Sequence, residues 1–198
     1  MFTEEDGVNA VRAARKMIES SVKNENEPDI DYPDKFDKKM GVFVTINKHP
    51  SEDLRGCIGY PEPIFKLKDA LEKAADNATR DPRFPNLKED ELDDIVVEVT
   101  LLTPPEVIEY DDPEELVEIV KCGEDGLIVS RGPYKGLLLP QVPVDQGWDE
   151  ETFLSHTCRK AGLSMNEWKN GSCKIEKFKG EIYAEKTPHG DVVKREIE

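Results

Sequence analysis

The stretch from Ile95 to Thr103, Ile-Val-Val-Glu-Val-Thr-Leu-Leu-Thr, constrains the fold more than any other part of this chain. Side chains on a strand alternate between faces, so Val97, Val99 and Leu101 share one side of a sheet. Pro104-Pro105 then breaks the strand. Val42 to Asn47 alternates in the same way, and His49-Pro50-Ser51-Glu52 turns it back into a second strand at Leu54, a hairpin. His49 reads most simply as a turn residue.

Helices fill the gaps irregularly. Thr3 and Asp6 form a capping-box-like pair, with Asp in place of Glu, opening a helix to about Lys23. A second helix runs from about Ile64 to Thr79, with Leu67, Ala70, Leu71, Ala74, Ala75 and Ala78 as a narrow face suited to close packing on a sheet. Asp81-Pro82 ends it. A short acidic helix is expected near 89–93, another from Asp112-Pro113 to about Lys121, and one capped by Asp149 that ends at Gly162. Gly126 to Arg131, Lys135 to Leu139 and Cys173 to Glu185 read as strands. In the last, the apolar phase slips between Ile175 and Phe178, which predicts a bulge. The pattern predicts an α+β fold, mainly an antiparallel sheet flanked by helices, with a main domain and a smaller α+β lobe. Residues 1–185 form the domain and 186–198 a polar C-terminal tail.

Within the hairpin's second strand lies Leu54-Arg55-Gly56-Cys57-Ile58-Gly59, a thiol between two glycines. Unbroken alternation puts Arg55, Cys57 and Gly59 on one face, with the guanidinium roughly 6–7 Å along the strand from the sulfur. A nearby cation favours the nucleophilic thiolate, while Gly56 and Gly59 let a ligand or another backbone approach. The same residues also describe a buried core thiol, with Arg55 paired to a carboxylate. Both readings stand at this point.

The hexapeptide resembles the hallmark of the AMMECR family, which is named after a deletion syndrome. Three further stretches match in order and spacing: Arg80-Asp81-Pro82-Arg83-Phe84-Pro85, then 136–142 (Gly-Leu-Leu-Leu-Pro-Gln-Val), then Trp148 with Phe153-Leu154 and 158–163. The resemblance covers nearly the whole chain and is similar to archaeal or bacterial members. It implies a cleft around the signature strand but no established reaction. It also implies Memo-type and radical-SAM proteins as partners, in a pathway of protein or cofactor modification.

Charge narrows the choice of ligands. A net charge of −16 over 198 residues argues against general nucleic-acid binding. Residues 89–118 carry thirteen Asp and Glu and no basic residue, an acidic belt that reads as a solvated face and disfavours anionic substrates there. Between His156 and Gly180 six Lys and Arg face only Glu167 and Glu176, a mildly basic end. No apolar run approaches the ~20 residues of a membrane span, and no secretory signal precedes the first helix, so a cytoplasmic protein is expected. Cys57, Cys122, Cys158 and Cys173 form no C-x-x-C pair and are expected as four reduced thiols. No metal is expected, because the three histidines do not cluster with other ligands. No cofactor is expected either, since phosphate-binding and dinucleotide fingerprints are absent.

Cys57 is thus the candidate nucleophile and Arg55 its candidate activator. His156 is a weaker candidate base, predicted on the exposed flank of its helix. Gly56, Gly59, Arg80, Asp81, Arg83, Phe84, Gln141 and Trp148 are the candidate cleft residues. Arg80 and Arg83 either grip an anion or cap the preceding helix. Two functions follow: a thiol-dependent modifying enzyme acting on a small metabolite, nucleotide or peptide, or a non-catalytic binding or adaptor module using the same surface. An RNA-associated regulator is disfavoured by the charge.

Overall fold

A computed structural model describes residues 2–196. In chain order the elements are α1 (Glu4–Lys23), β1 (Gly41–Lys48), β2 (Leu54–Tyr60), α2 (Leu67–Ala78), β3 (Ile95–Leu102), β4 (Glu106–Val107), α3 (Glu115–Ile119), β5 (Asp125–Arg131), β6 (Tyr134–Leu138), α4 (Gln141–Gln146), α5 (Glu150–Lys160), β7 (Lys174–Glu185) and β8 (Val192–Arg195). Short 3-10 turns occupy Asp34–Asp37, Glu89–Asp94 and Glu167–Asn170. Every paired strand recorded by register is antiparallel, and the fold is α+β.

Two compact units divide the chain, residues 2–102 with 181–195, and residues 103–180. In the first, the strand order is β2-β1-β3-β7, and β8 pairs with β7. Val42, Val44 and Ile46 of β1 and Val97, Val99 and Leu101 of β3 face the buried sides of α1 and α2. The alanine face of α2 allows the close approach to β1 and β2 that the sequence predicts. Thr3 caps α1 through a complete capping box: its hydroxyl accepts from Asp6 N–H at 3.1 Å, and its own N–H donates to the Asp6 carboxylate at 2.8 Å. Across the core, Arg15 of α1 pairs with the fully buried Glu185 of β7, which also accepts the Val97 N–H at 3.1 Å.

In the second unit β6, β5, the first half of β7 and β4 pair in that order. Their core gathers Leu127, Val129 and Ile175 with Phe153, Leu154 and Cys158 of α5 and Trp168. Asp149 caps α5, accepting the Thr152 N–H at 2.9 Å.

Four local features differ from the sequence reading. The second helix starts at Leu67 rather than Ile64, because Lys66 is extended in a bridge to Lys39 and the Leu67 N–H donates to Lys38 C=O at 2.9 Å. The helix expected from Asp112-Pro113 to about Lys121 spans only Glu115–Ile119, while Gln141, three residues past the end of β6, opens the short α4. The polar stretch after Lys186 is no tail throughout: Val192–Arg195 pair with Ile182–Glu185, and Lys194 reaches Glu181 at 2.9 Å. Residues 197 and 198 lie outside the described residues. No register shift marks β7 beside β5 between Lys174 and Lys179. Its phase slips because both faces are covered: Ile175 enters the second core, while Phe178 lies over Gly126, whose absent side chain leaves room for the ring.

Candidate functional site

The bulge is in the signature strand. Ile46 pairs with Gly56 but Asn47 pairs with Leu54, so Arg55 is an extra residue without a partner on β1. This shift interrupts the alternation that would have put Arg55 and Cys57 on one face. Arg55 is 6% exposed. Its Nε and a terminal nitrogen donate to Glu91 at 2.7 and 2.9 Å, and the guanidinium also donates to the carbonyls of Pro85 and Asn86. Those contacts fix β2 to the turn that precedes β3. A groove of about 360 Å³ opens beside them, lined in part by Leu54, Phe84, Lys88 and Glu91.

Packing accounts for both glycines. A Cβ on Gly56 would stand 2.4 Å from the Ala78 carbonyl oxygen at the end of α2. On Gly59 it would stand 2.1 Å from the Phe43 ring, which crosses from the paired position on β1. The close approach expected of these positions is made by the protein's own backbone and aromatic ring.

Among its neighbours in the first sheet, β2 pairs only with β1. Its outer edge is held at Cys57 by the segment that follows α2. The Cys57 N–H donates to Asp81 Oδ2 at 2.9 Å, and Arg83 donates to the Cys57 carbonyl at 3.2 Å. Asp81, 3% exposed, also accepts the Arg83 N–H and two guanidinium bonds at 3.0 and 2.7 Å. These donors, Arg83 foremost, hold the Asp81 carboxyl far below the usual carboxylate range. Together Asp81 and Arg83 occupy edge groups that would otherwise be free to pair with another strand.

The Cys57 side chain is half-buried on the sheet face turned away from α1 and α2. Thr45 is its register partner on β1, and Glu98 is the partner of Thr45 on β3, so thiol, hydroxyl and carboxyl form one row across three strands. Thr45 Oγ1 donates to Cys57 Sγ at 3.2 Å. Burial pushes the thiol up from its ordinary value and outweighs the opposing pull of the Thr45 bond and the Arg83 charge. The prediction of a thiol lowered by Arg55 is therefore corrected: the net shift is upward, and the cation acting on the sulfur is Arg83. Burial also raises the Glu98 carboxyl, although Arg195 opposes it. Thr45 and Glu98 were not among the sequence candidates. The available signal was Glu98 as the one charge in the apolar run 95–103.

The remaining candidates divide between the units. Arg80 pairs with Asp76 one helical turn earlier and donates to Ser21 at 3.3 Å, which makes it an end-of-helix partner. Phe84 lies under the Arg83 guanidinium, 5.6 Å from the ring centroid. Gln141, Trp148 and His156 belong to the second unit. Trp148 and His156 stack there with ring centroids 4.0 Å apart. Gln141 carries a buried side-chain oxygen without a hydrogen-bond partner. Among the described residues no cluster of three or more His, Cys, Asp or Glu is placed to hold a metal ion, and no helix is long and apolar enough to cross a membrane.

Residues 11–183 match the AMMECR1 family. This chain belongs to that family. Family relatives include Protein MJ0810 of Methanocaldococcus jannaschii, 48% identical over 198 residues that cover 100% of this chain and 98% of the relative. Protein PH0010 of Pyrococcus horikoshii is 50% identical over 200 residues, covering 98% of this chain and 97% of the relative. The crystal structure of uncharacterised PH0010 superposes with a TM-score of 0.81 and covers 97% of each chain. These relatives carry the family's fold without a stated reaction.

Proposed function

We propose that this AMMECR1-family protein is a cytoplasmic recognition module. It binds a partner through the sheet face that carries Cys57, Thr45 and Glu98, within a pathway of protein or cofactor modification. Memo-type and radical-SAM proteins are the partners in this reading. One observation carries it: the signature residues around Cys57 are committed to packing. Arg55 is spent on Glu91 and two carbonyls, Gly56 on α2 and Gly59 on Phe43. What the strand presents is a half-buried thiol that burial keeps protonated, beside a hydroxyl and a carboxyl. Such a row suits hydrogen-bonded recognition of a neutral or basic group better than nucleophilic attack at rest.

The second reading, a thiol-dependent modifying enzyme, has one observation in its favour. The Thr45 hydroxyl and the Arg83 charge both act toward the thiolate, so desolvation is the main obstacle to ionising Cys57. A bound ligand that brings a further positive charge would supply the difference.

Co-purification of the native chain and its Cys57→Ser and Glu98→Ala variants with Memo-type and radical-SAM proteins, followed by mass analysis of the partners, separates the two. Recognition predicts that Cys57→Ser retains the partner and any product, while Glu98→Ala releases the partner. Loss of a modified product in Cys57→Ser with the partner still bound would establish the enzyme. Unchanged capture by Glu98→Ala would remove this face from the function.

A further inference from the structure

The second unit carries a trough that has no part in the Cys57 row. A groove of about 650 Å³ runs between the segment that continues β4 and the turn before β7. Another, of about 460 Å³, lies against α3. Pro113 and Lys169 line both, so the two continue into one trough. Its floor is apolar: Ile108, Trp168, Cys173 and Ile175 line it and are themselves buried in the core of this unit. Val107, 46% exposed, and the half-buried Val117 carry the apolar surface up the walls.

The rim is acidic. Glu109, Asp111, Asp112, Glu114 and Glu118 form no ion pair with a described Lys, Arg or His. The cations beside them are Lys169 and Lys174, and both are taken: Lys169 by Glu151 at 2.6 Å and Lys174 by Glu176 at 2.7 Å. Carboxylates strung along one segment repel one another, and a ligand with positive charges spaced along the same line relieves that repulsion. Among the described residues no three carboxylates are placed to share a metal ion, so one compact cation does not satisfy the row.

We propose that this trough docks an extended, Lys- and Arg-rich segment of a partner protein, with its apolar side chains on the floor and its cationic ones along the 109–118 rim. Charge complementarity selects that occupant. An acidic peptide or a nucleic acid would be repelled, and a second copy of this chain would bring the same net charge of −16. The apolar floor separates a peptide from a free polyamine, which would leave it uncovered. The trough lies wholly within residues 103–180, so this contact does not depend on the Cys57 face.

The test uses the full chain and a fluorescein-labelled peptide, Lys-Leu-Arg-Val-Lys-Leu-Arg-Lys, with binding read by anisotropy and located by NMR backbone shifts. Shifts are expected at 107–118 and 169–175. The combined variant Glu109→Gln, Asp111→Asn, Glu114→Gln, Glu118→Gln should weaken binding about ten-fold or more, because several charge pairs are lost together. A control of equal net charge, Glu25→Gln, Glu27→Gln, Asp29→Asn, Asp31→Asn in the exposed loop after α1, should change it by less than about two-fold, since those charges lie outside the trough. Val107→Ser should still weaken binding at high salt, where the charges are screened. Equal weakening by the two combined variants, or shifts scattered outside the trough, would reduce the binding to overall charge and overturn the proposal. Displacement of the peptide by an equal concentration of spermine would overturn it as well. The wild-type shift map decides the matter even where a variant fails to fold.

Discussion

The Asp81 carboxylate holds the backbone N–H of Cys57 at 2.9 Å and, through its other bonds, the guanidinium that closes on the Cys57 carbonyl. One buried acid therefore sets both the edge of the signature strand and the position of the cation that acts on its thiol. It also explains why the segment after α2 and the signature strand belong together, although they are separated in the chain.

Asp81→Asn tests that staple. It keeps the shape but loses the charge-assisted bonds, so a loss of about 1–3 kcal/mol is expected. The value should fall toward the lower end, because Arg83 is largely exposed and solvent screens its part. Since Asp81 titrates lower when folded than unfolded, its contribution is fully present above the unfolded value near ~3.9 and disappears as pH falls through the folded value. Wild-type melting temperature should thus drop more steeply than that of Asp81→Asn below about pH 4. Parallel pH curves for the two proteins would show that Asp81 does not supply this linkage.

The two signature glycines should respond differently to a methyl group. In Gly56→Ala the new carbon meets a backbone oxygen at the end of α2, which cannot rotate away, and overpacking of about 1–3 kcal/mol is expected. In Gly59→Ala it meets the Phe43 ring, a side chain. Adding Phe43→Ala should relieve part of the Gly59→Ala clash but none of the Gly56→Ala clash. Double-mutant cycles from urea unfolding read this as coupling at 59–43 and additivity at 56–43.

The elements were largely legible because each carries its own punctuation: the Thr3–Asp6 capping box, Pro104-Pro105 after β3 and the Asp149 cap. The site was less legible, for a physical reason. Strand alternation is read one residue at a time, and a single inserted residue reverses it. The bulge at Arg55 removed the guanidinium from the Cys57 face, whereas the phase slip in β7 came from burial on both faces. Cross-strand neighbours such as Thr45 and Glu98 depend on register, which local spacing does not encode.

The Arg15–Glu185 pair should be costly to break and cheap to replace. Both side chains are buried, and Glu185 additionally accepts the Val97 N–H. Glu185→Leu alone strands a guanidinium in the core, and about 3–5 kcal/mol should be lost. The double variant Arg15→Met, Glu185→Leu should recover much of that loss, because the uncompensated charge is gone. Denaturant midpoints of the two singles and the double check this. A double variant as unstable as the sum of the singles would mean that the bonds to Val97 and to the Leu92 and Ile95 carbonyls outweigh the ion pair.

The Cys57 thiol gives the most direct reading of the proposed surface. Burial holds it above the ordinary thiol range, so iodoacetamide should label native Cys57 more slowly at pH 7 than an unfolded cysteine, and its rate should keep rising at pH values where a free thiol has levelled off. The neighbours should move that profile in known directions. Thr45→Val removes a hydrogen bond to the sulfur, and Arg83→Met removes a positive charge; both should shift the profile to higher pH. Glu98→Gln removes a negative charge and should shift it lower. Arg55→Met should leave the profile in place while lowering stability, since its guanidinium serves Glu91 and the 85–86 carbonyls. A profile that moves with Arg55 and ignores Arg83 would return the guanidinium of the signature to the role of thiol activator.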